Sequence, residues 1–226
     1  MDLEALEGSE RLDALCAEEQ ARAERFRFRK DRDLYVIGRS MMRELLGGYL
    51  GRDARQIRFS YSPYGKPELA DEQGIDLRFN LSHSGEVVLF AATLGSEVGI
   101  DVEFMRARAM EGRVADEVFS ASELATFAAL PSELKQQGFF NGWTRKEAFI
   151  KAKGEGLSMP LKEFDVSLDP RQVAKILSIR GDKTELERWS LRDLEMGEGY
   201  VGAVVVEKRD WILKRFAWPS GSRGKI

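Results

Sequence analysis

The stretch Val98-Gly99-Ile100-Asp101-Val102-Glu103 is the part of the chain from which both a fold and a chemistry can be read. Side chains alternate across a strand, so Ile100 and Val102 share one face while Gly99, Asp101 and Glu103 share the other. Gly99 has no side chain, which leaves room on the acidic face, and Asp101 is read as facing solvent. Two carboxylates projecting from one face suit Mg²⁺, which prefers oxygen ligands and often completes its shell with water and substrate phosphates. The same pattern also describes a half-exposed strand with a polar outer surface.

Forty residues further on lies Phe139-Phe140-Asn141-Gly142-Trp143-Thr144-Arg145-Lys146-Glu147-Ala148-Phe149-Ile150-Lys151. It belongs to a helix predicted over 133–152, amphipathic, with Phe139, Trp143 and Ile150 as its buried stripe. Glu147 and Lys151, one turn apart, are neighbours on an adjoining face. They read either as a third carboxylate and a phosphate contact or as an ordinary exposed ion pair. Upstream, Phe79-Asn80-Leu81-Ser82-His83-Ser84-Gly85 places two serines and the single histidine in what reads as a turn between strands 77–81 and 87–93. A turn with free amides, hydroxyls and an imidazole makes a phosphate cradle. Lys66, in Tyr64-Gly65-Lys66-Pro67, is a further candidate anion contact.

The rest of the chain alternates helix and strand. Residues 11–29 read as helical, and Asp33 as the N-cap of a second helix that Gly47-Gly48 stops. Strands are expected at 57–61, 164–168, 175–179, 185–193 and 200–207, with a boundary in 105–113 and a frayed tail after Trp218. The fold class is α/β.

Composition narrows the chemistry. The 226 residues are 43% hydrophobic and 32% charged with net charge −3, an ordinary balance for a globular chain. One cysteine excludes an internal disulfide, and one histidine excludes a two-histidine metal centre. No apolar run approaches a membrane span and no apolar leader follows Met1, so a cytoplasmic protein without a membrane partner is expected. Residues 22–58 hold eleven Lys and Arg against five Asp and Glu, a basic segment suited to a polyanion or to a solvated helix face. The absence of any nucleic-acid motif sets nucleic acid aside as a partner.

Four motifs, Tyr64-Gly65-Lys66-Pro67, Phe79 to Ser84, Val98 to Glu103 and Trp143 to Lys151, stand in an order that resembles the surfactin-type 4′-phosphopantetheinyl transferases. Gly154-Glu155-Gly156-Leu157 and the strand at Gly199-Tyr200-Val201 extend the likeness over roughly residues 20 to 207. The resemblance implies two similar α/β subdomains in a pseudo-two-fold arrangement, here 1–104 and 105–226, with the site between them. It implies transfer of the phosphopantetheine arm of coenzyme A to a serine of an apo acyl or peptidyl carrier protein, releasing adenosine 3′,5′-bisphosphate. By the same resemblance Asp101, Glu103 and Glu147 hold Mg²⁺, while Lys66, Ser82 and His83 contact coenzyme A phosphates. Lys146 and Lys151 lie near the pyrophosphate and acceptor, and catalysis falls to Glu147, Lys151 and Asp101. Leu34 occupies a place where other members carry arginine, so Arg32, Arg39 or Arg43 supplies that charge. The opening strand of many members is missing or short here, since Met1-Asp2-Leu3-Glu4 leads quickly to Leu12. A site built within one chain implies a monomer. The alternative is a non-catalytic module that binds coenzyme A and a carrier protein.

Overall fold

Two long helices, α2 (Arg29–Leu50) and α5 (Ser132–Lys153), organise the chain. The computed structural model describes residues 11–70, 74–106 and 114–217. The opening residues, most of the 105–113 boundary and the tail from Trp218 lie outside that range. A short helix α1 (Ala17–Glu24) precedes α2, so 11–29 is not one continuous helix. α2 starts at Arg29 rather than Asp33 and runs through Gly47-Gly48 to a left-handed cap at Gly51 (φ 64°). Glycine at 47 does not end the helix because it serves packing: a Cβ there would lie 2.7 Å from the Arg52 carbonyl.

Each helix is followed by a 3₁₀ turn and two antiparallel strand pairs, the second half carrying an extra short helix between its pairs. After α2 comes a 3₁₀ turn at 54–56, then the antiparallel pair β1 (Phe59–Tyr61) and β2 (Pro67–Leu69), then the pair β3 (Leu77–Ser84) and β4 (Val87–Leu94). After α5, capped by Gly154 at φ 71°, come a 3₁₀ turn at 156–158, the pair β6 (Phe164–Val166) and β7 (Ile176–Ile179), and the pair β8 (Ser190–Leu194) and β9 (Tyr200–Val206). The protein is therefore mixed α/β with two repeated halves. Between them β5 (Val98–Phe104) pairs antiparallel with β9, giving a sheet ordered β5-β9-β8. Helices α3 (Val114–Val118) and α4 (Ala121–Ala129) lead into α5.

Three expectations change. Residues 82–84 are the last residues of β3, paired with β4, and the turn is confined to Gly85-Glu86, with Gly85 at φ 57°. The span 185–193 divides into a helix, α6 (Lys183–Arg188), and β8, because Asp182 accepts the amides of Thr184 and Glu185 as an N-cap. Helix α5 is not amphipathic. From Gly138 to Ala152 its buried residues surround the axis, since β5 and β9 cover one side and the strands after it another.

The space above Gly99 is filled by backbone. A Cβ at this position would lie 2.0 Å from the Ala148 carbonyl oxygen and 2.3 Å from the Ala152 amide nitrogen. Glycine here allows α5 to lie directly on β5. Replacing Gly99 with Ala is expected to cost about 1–3 kcal/mol by overpacking, whereas Gly48→Ala, with nothing within 4 Å, should gain about 0.5–1 kcal/mol from helix propensity. Urea denaturation of both variants checks this; a neutral Gly99→Ala would contradict the close contact.

Candidate active site

Because α5 rests on Gly99, its residues Glu147 and Lys151 stand over the acidic face of β5. Lys151 Nζ donates to Asp101 Oδ1 at 2.6 Å and to Ser82 Oγ at 3.1 Å. Ser82 Oγ donates to the same Asp101 oxygen at 2.7 Å. Asp101 is only 3% exposed, so it is a buried carboxylate and not a solvent-facing one. Its second oxygen, Oδ2, is buried with no hydrogen-bond partner among the described residues. Glu103, two residues on, accepts from Ser84 Oγ at 2.8 Å through Oε2.

The electrostatics tie the acids together. Burial pushes the Asp101 carboxyl up, against the pull of Lys151 and Ser82. Burial also raises Glu103, opposed first by the Ser84 hydrogen bond and reinforced by the Asp101 charge. Glu147 is raised by burial and then by the charge of Asp101, with Lys151 pulling the other way. Lys151 is thus the cation that lowers all three carboxylates against the effect of burial. Among the described residues no group of three His, Cys, Asp or Glu side chains is placed so that together it could hold a metal ion. Mg²⁺ does not require one, since it is commonly held by one or two carboxylates with water and phosphate oxygens. The unpartnered Asp101 oxygen and this hard, oxygen-rich donor set fit such an ion. A cleft of about 260 Å³ opens beside Glu103, walled by Ser84, Phe104, Phe140 and Trp143 with Arg106 at its rim.

Other residues expected at the site are placed elsewhere or engaged. Lys146 points to the opposite side of α5, fully buried, in an ion pair with Glu123 at 2.8 Å and donating to the carbonyls of Leu161 and Phe164, each at 2.6 Å. It holds the loop after α5 and does not approach Asp101 in the manner of Lys151. Arg43 is 3% exposed, bound to Glu19 at 2.6 Å and to the carbonyls of Ala54 and Ile57, which makes it a structural pin. Lys66 is drawn inward by Glu97 at 2.7 Å and by the carbonyls of Val98 and Ala152. Arg39 pairs with Glu19 at 3.1 Å and with the Tyr61 hydroxyl. His83 is exposed, on the face of β3 opposite Ser82 and Ser84. Glu97, Glu123, Ser84 and Asn80 were not legible as partners of these groups; only the Ser120-x-x-Glu123 capping box carried a local signal.

One buried and two half-buried acids gathered around one lysine, with a cleft alongside, make this the candidate site. The comparisons with known proteins agree. Residues 97–205 match the model of the 4′-phosphopantetheinyl transferase superfamily, and residues 7–95 match that of the 4′-phosphopantetheinyl transferase N-terminal region. The chain is 38% identical over 200 residues to 4′-phosphopantetheinyl transferase HetI of Nostoc, covering 87% of this chain and 80% of that protein. It is 33% identical over 154 residues to Sfp of Bacillus subtilis, covering 68% and 66%. It is 31% identical over 210 residues to the human L-aminoadipate-semialdehyde dehydrogenase-phosphopantetheinyl transferase, covering 85% and 67%. A solved apo-ACPS structure from Chronobacterium ammoniagenes aligns at 20% identity and TM-score 0.38 over 51% of this chain and 99% of that one. The chain belongs to the 4′-phosphopantetheinyl transferase superfamily. Its activity class is transfer of phosphopantetheine from coenzyme A to a carrier protein. Among the described residues no helix is long and apolar enough to cross a membrane.

Two predictions test this arrangement. Lys146→Ala leaves Glu123 charged and buried, and is expected to cost about 3–5 kcal/mol; urea denaturation checks it, and wild-type stability would contradict the structural role. Glu147 holds its proton more tightly folded than unfolded, so its contribution lowers stability as pH rises from about 4, the unfolded value. In metal-free buffer Glu147→Gln should therefore be more stable than wild type at pH 7, with the gap closing as the pH falls toward about 4. A variant no more stable at pH 7 would contradict the crowding of acids.

Proposed function

We propose that this chain transfers the phosphopantetheine arm to a carrier serine with Asp101, Glu103 and Glu147 holding Mg²⁺ and Glu147 and Lys151 serving the reaction. The observation that carries this reading is the buried, unpartnered Asp101 Oδ2, beside two further acids whose carboxyls its charge raises. Mg²⁺, when bound, supplies positive charge to the pyrophosphate of coenzyme A. The serine oxygen attacks the β-phosphorus, and the bond from that phosphorus to the bridging oxygen breaks. Adenosine 3′,5′-bisphosphate leaves, and the serine proton passes to Glu147. Glu147, directly or through a water that it orients, is the base in this reading.

Lys151, 27% exposed at its side chain, is free enough to turn from Asp101 toward a phosphate oxygen, where its charge stabilises the leaving group. The cleft lined by Phe104, Phe140 and Trp143 suits the uncharged pantetheine arm. His83 and Arg39 are the proposed coenzyme A phosphate contacts, while Lys66 would have to exchange Glu97 for phosphate. Each group named lies in one chain, in keeping with a monomer formed of halves meeting near 104–105.

Incubating the protein with coenzyme A, Mg²⁺ and a panel of apo carrier proteins should add about 340 Da, the mass of the transferred arm, to at least one carrier. Glu147→Gln, which keeps its size and gains stability, is expected to lose at least about 100-fold in rate. An unimpaired Glu147→Gln enzyme at saturating Mg²⁺ would overturn the role given to Glu147.

A further inference from the structure

Strands β3 and β5 lie side by side but belong to different hydrogen-bonded sheets. What links them is a row of short polar side chains at alternate positions of β3. Asn80 Oδ1 accepts the Ile100 amide at 2.9 Å, and Ser82 Oγ donates to Asp101 Oδ1 at 2.7 Å. Ser84 Oγ donates to Glu103 Oε2 at 2.8 Å and accepts the Phe104 amide at 3.0 Å. The two serines, two residues apart, meet two acids, two residues apart. Each hydroxyl engages one oxygen of its carboxylate.

A serine hydroxyl has one proton to donate, and an ionised phosphate oxygen can only accept. The Ser82 proton is committed to Asp101, and its lone pairs already receive Lys151. Ser82 therefore cannot donate to a coenzyme A phosphate while holding Asp101. Fixing Oδ1 also decides the direction of the other oxygen, because a carboxylate held at one oxygen no longer rotates freely about χ2. The oxygen left over is the unpartnered Oδ2.

We propose that Ser82 and Ser84 are positioning residues that aim Asp101 and Glu103 at the cation. This rests on the reading of those acids as Mg²⁺ ligands. Residues that orient a metal's ligands typically change its affinity by about 10–100-fold when removed.

The test is Mn²⁺ binding to the free full-length protein without coenzyme A, followed by the electron paramagnetic resonance of unbound Mn²⁺, alongside steady-state rates over Mg²⁺ and coenzyme A. Ser82→Ala and Ser84→Ala should each weaken Mn²⁺ binding by about tenfold or more. The Mg²⁺ needed for half-maximal rate should rise by a similar factor, with the KM for coenzyme A unchanged at saturating Mg²⁺. Ser82→Thr keeps the hydroxyl and should keep wild-type Mn²⁺ affinity, a rescue that a merely structural role does not require. Unchanged Mn²⁺ affinity with a raised KM for coenzyme A would overturn the proposal. If Ser82→Ala does not fold, Ser84→Ala and Ser82→Thr decide it by the same readouts. A wild type that modifies no carrier, yet shows the Mn²⁺ contrast between variants, would remove the transferase mechanism and leave the positioning role standing. A wild type that binds no Mn²⁺ would remove both the metal assignment and this one.

Discussion

The contact of one helix with one strand, made backbone to backbone at Gly99, determines where every reactive group of this protein sits. With a Cβ 2.0 Å from the Ala148 oxygen, any other residue would push α5 away from β5. The separation matters because the two elements carry different parts of the site. β5 brings Asp101 and Glu103, and α5 brings Glu147 and Lys151. The second half of the molecule is largely the means of holding α5 there. Arg145, fully buried, binds both oxygens of Asp193 at 2.9 and 2.6 Å and the Ser167 carbonyl. Lys146 and Glu123 fasten the following loop, and the Phe149–Phe164–Trp189 cluster fills the interior.

Packing of this kind concentrates like charge. Asp101 raises both Glu103 and Glu147, and burial raises all three against the pull of Lys151. Lys151 rests on the same Asp101 oxygen that Ser82 binds, which keeps the other oxygen clear. The seam between the halves is stitched by similar means: Lys66 reaches from the loop between β1 and β2 to Glu97, the Val98 carbonyl and the Ala152 carbonyl at once. A lysine so placed ties β5 to the C-terminal end of α5, the same two elements that meet at Gly99.

Periodicity made much of this legible. The strand expected at 98–103, the helix at 133–152 and the hairpin strands at 77–81 and 87–93 each fall within an observed element, and the four motifs in register pointed to the family. What the sequence could not disclose was direction and burial. Gly99 read as room for a ligand, because nothing local says that a helix backbone will occupy the space. Asp101 read as exposed for the same reason: its cover comes from residues fifty positions away. Ser82 and Ser84 sit among turn-forming residues, yet pairing with β4 draws them into a strand and turns their hydroxyls to β5. Lys146 and Lys151 look equivalent in a row of charges. Their positions around α5 differ, and one meets Glu123 while the other meets Asp101. Arg43 shows the limit of reading a basic segment by charge, since Glu19 and two carbonyls hold its Nε and Nη1 in the interior.

Diffraction at the manganese edge from crystals of the protein with Mn²⁺ and coenzyme A addresses the central claim most directly. An anomalous peak within coordination distance of Asp101 Oδ2, with Glu147 on the same ion and Ser82 still on Oδ1, is the outcome expected. A manganese ion bound away from Asp101, or coordinated there without any acid of α5 nearby, would contradict the account of how helix and strand together build the site.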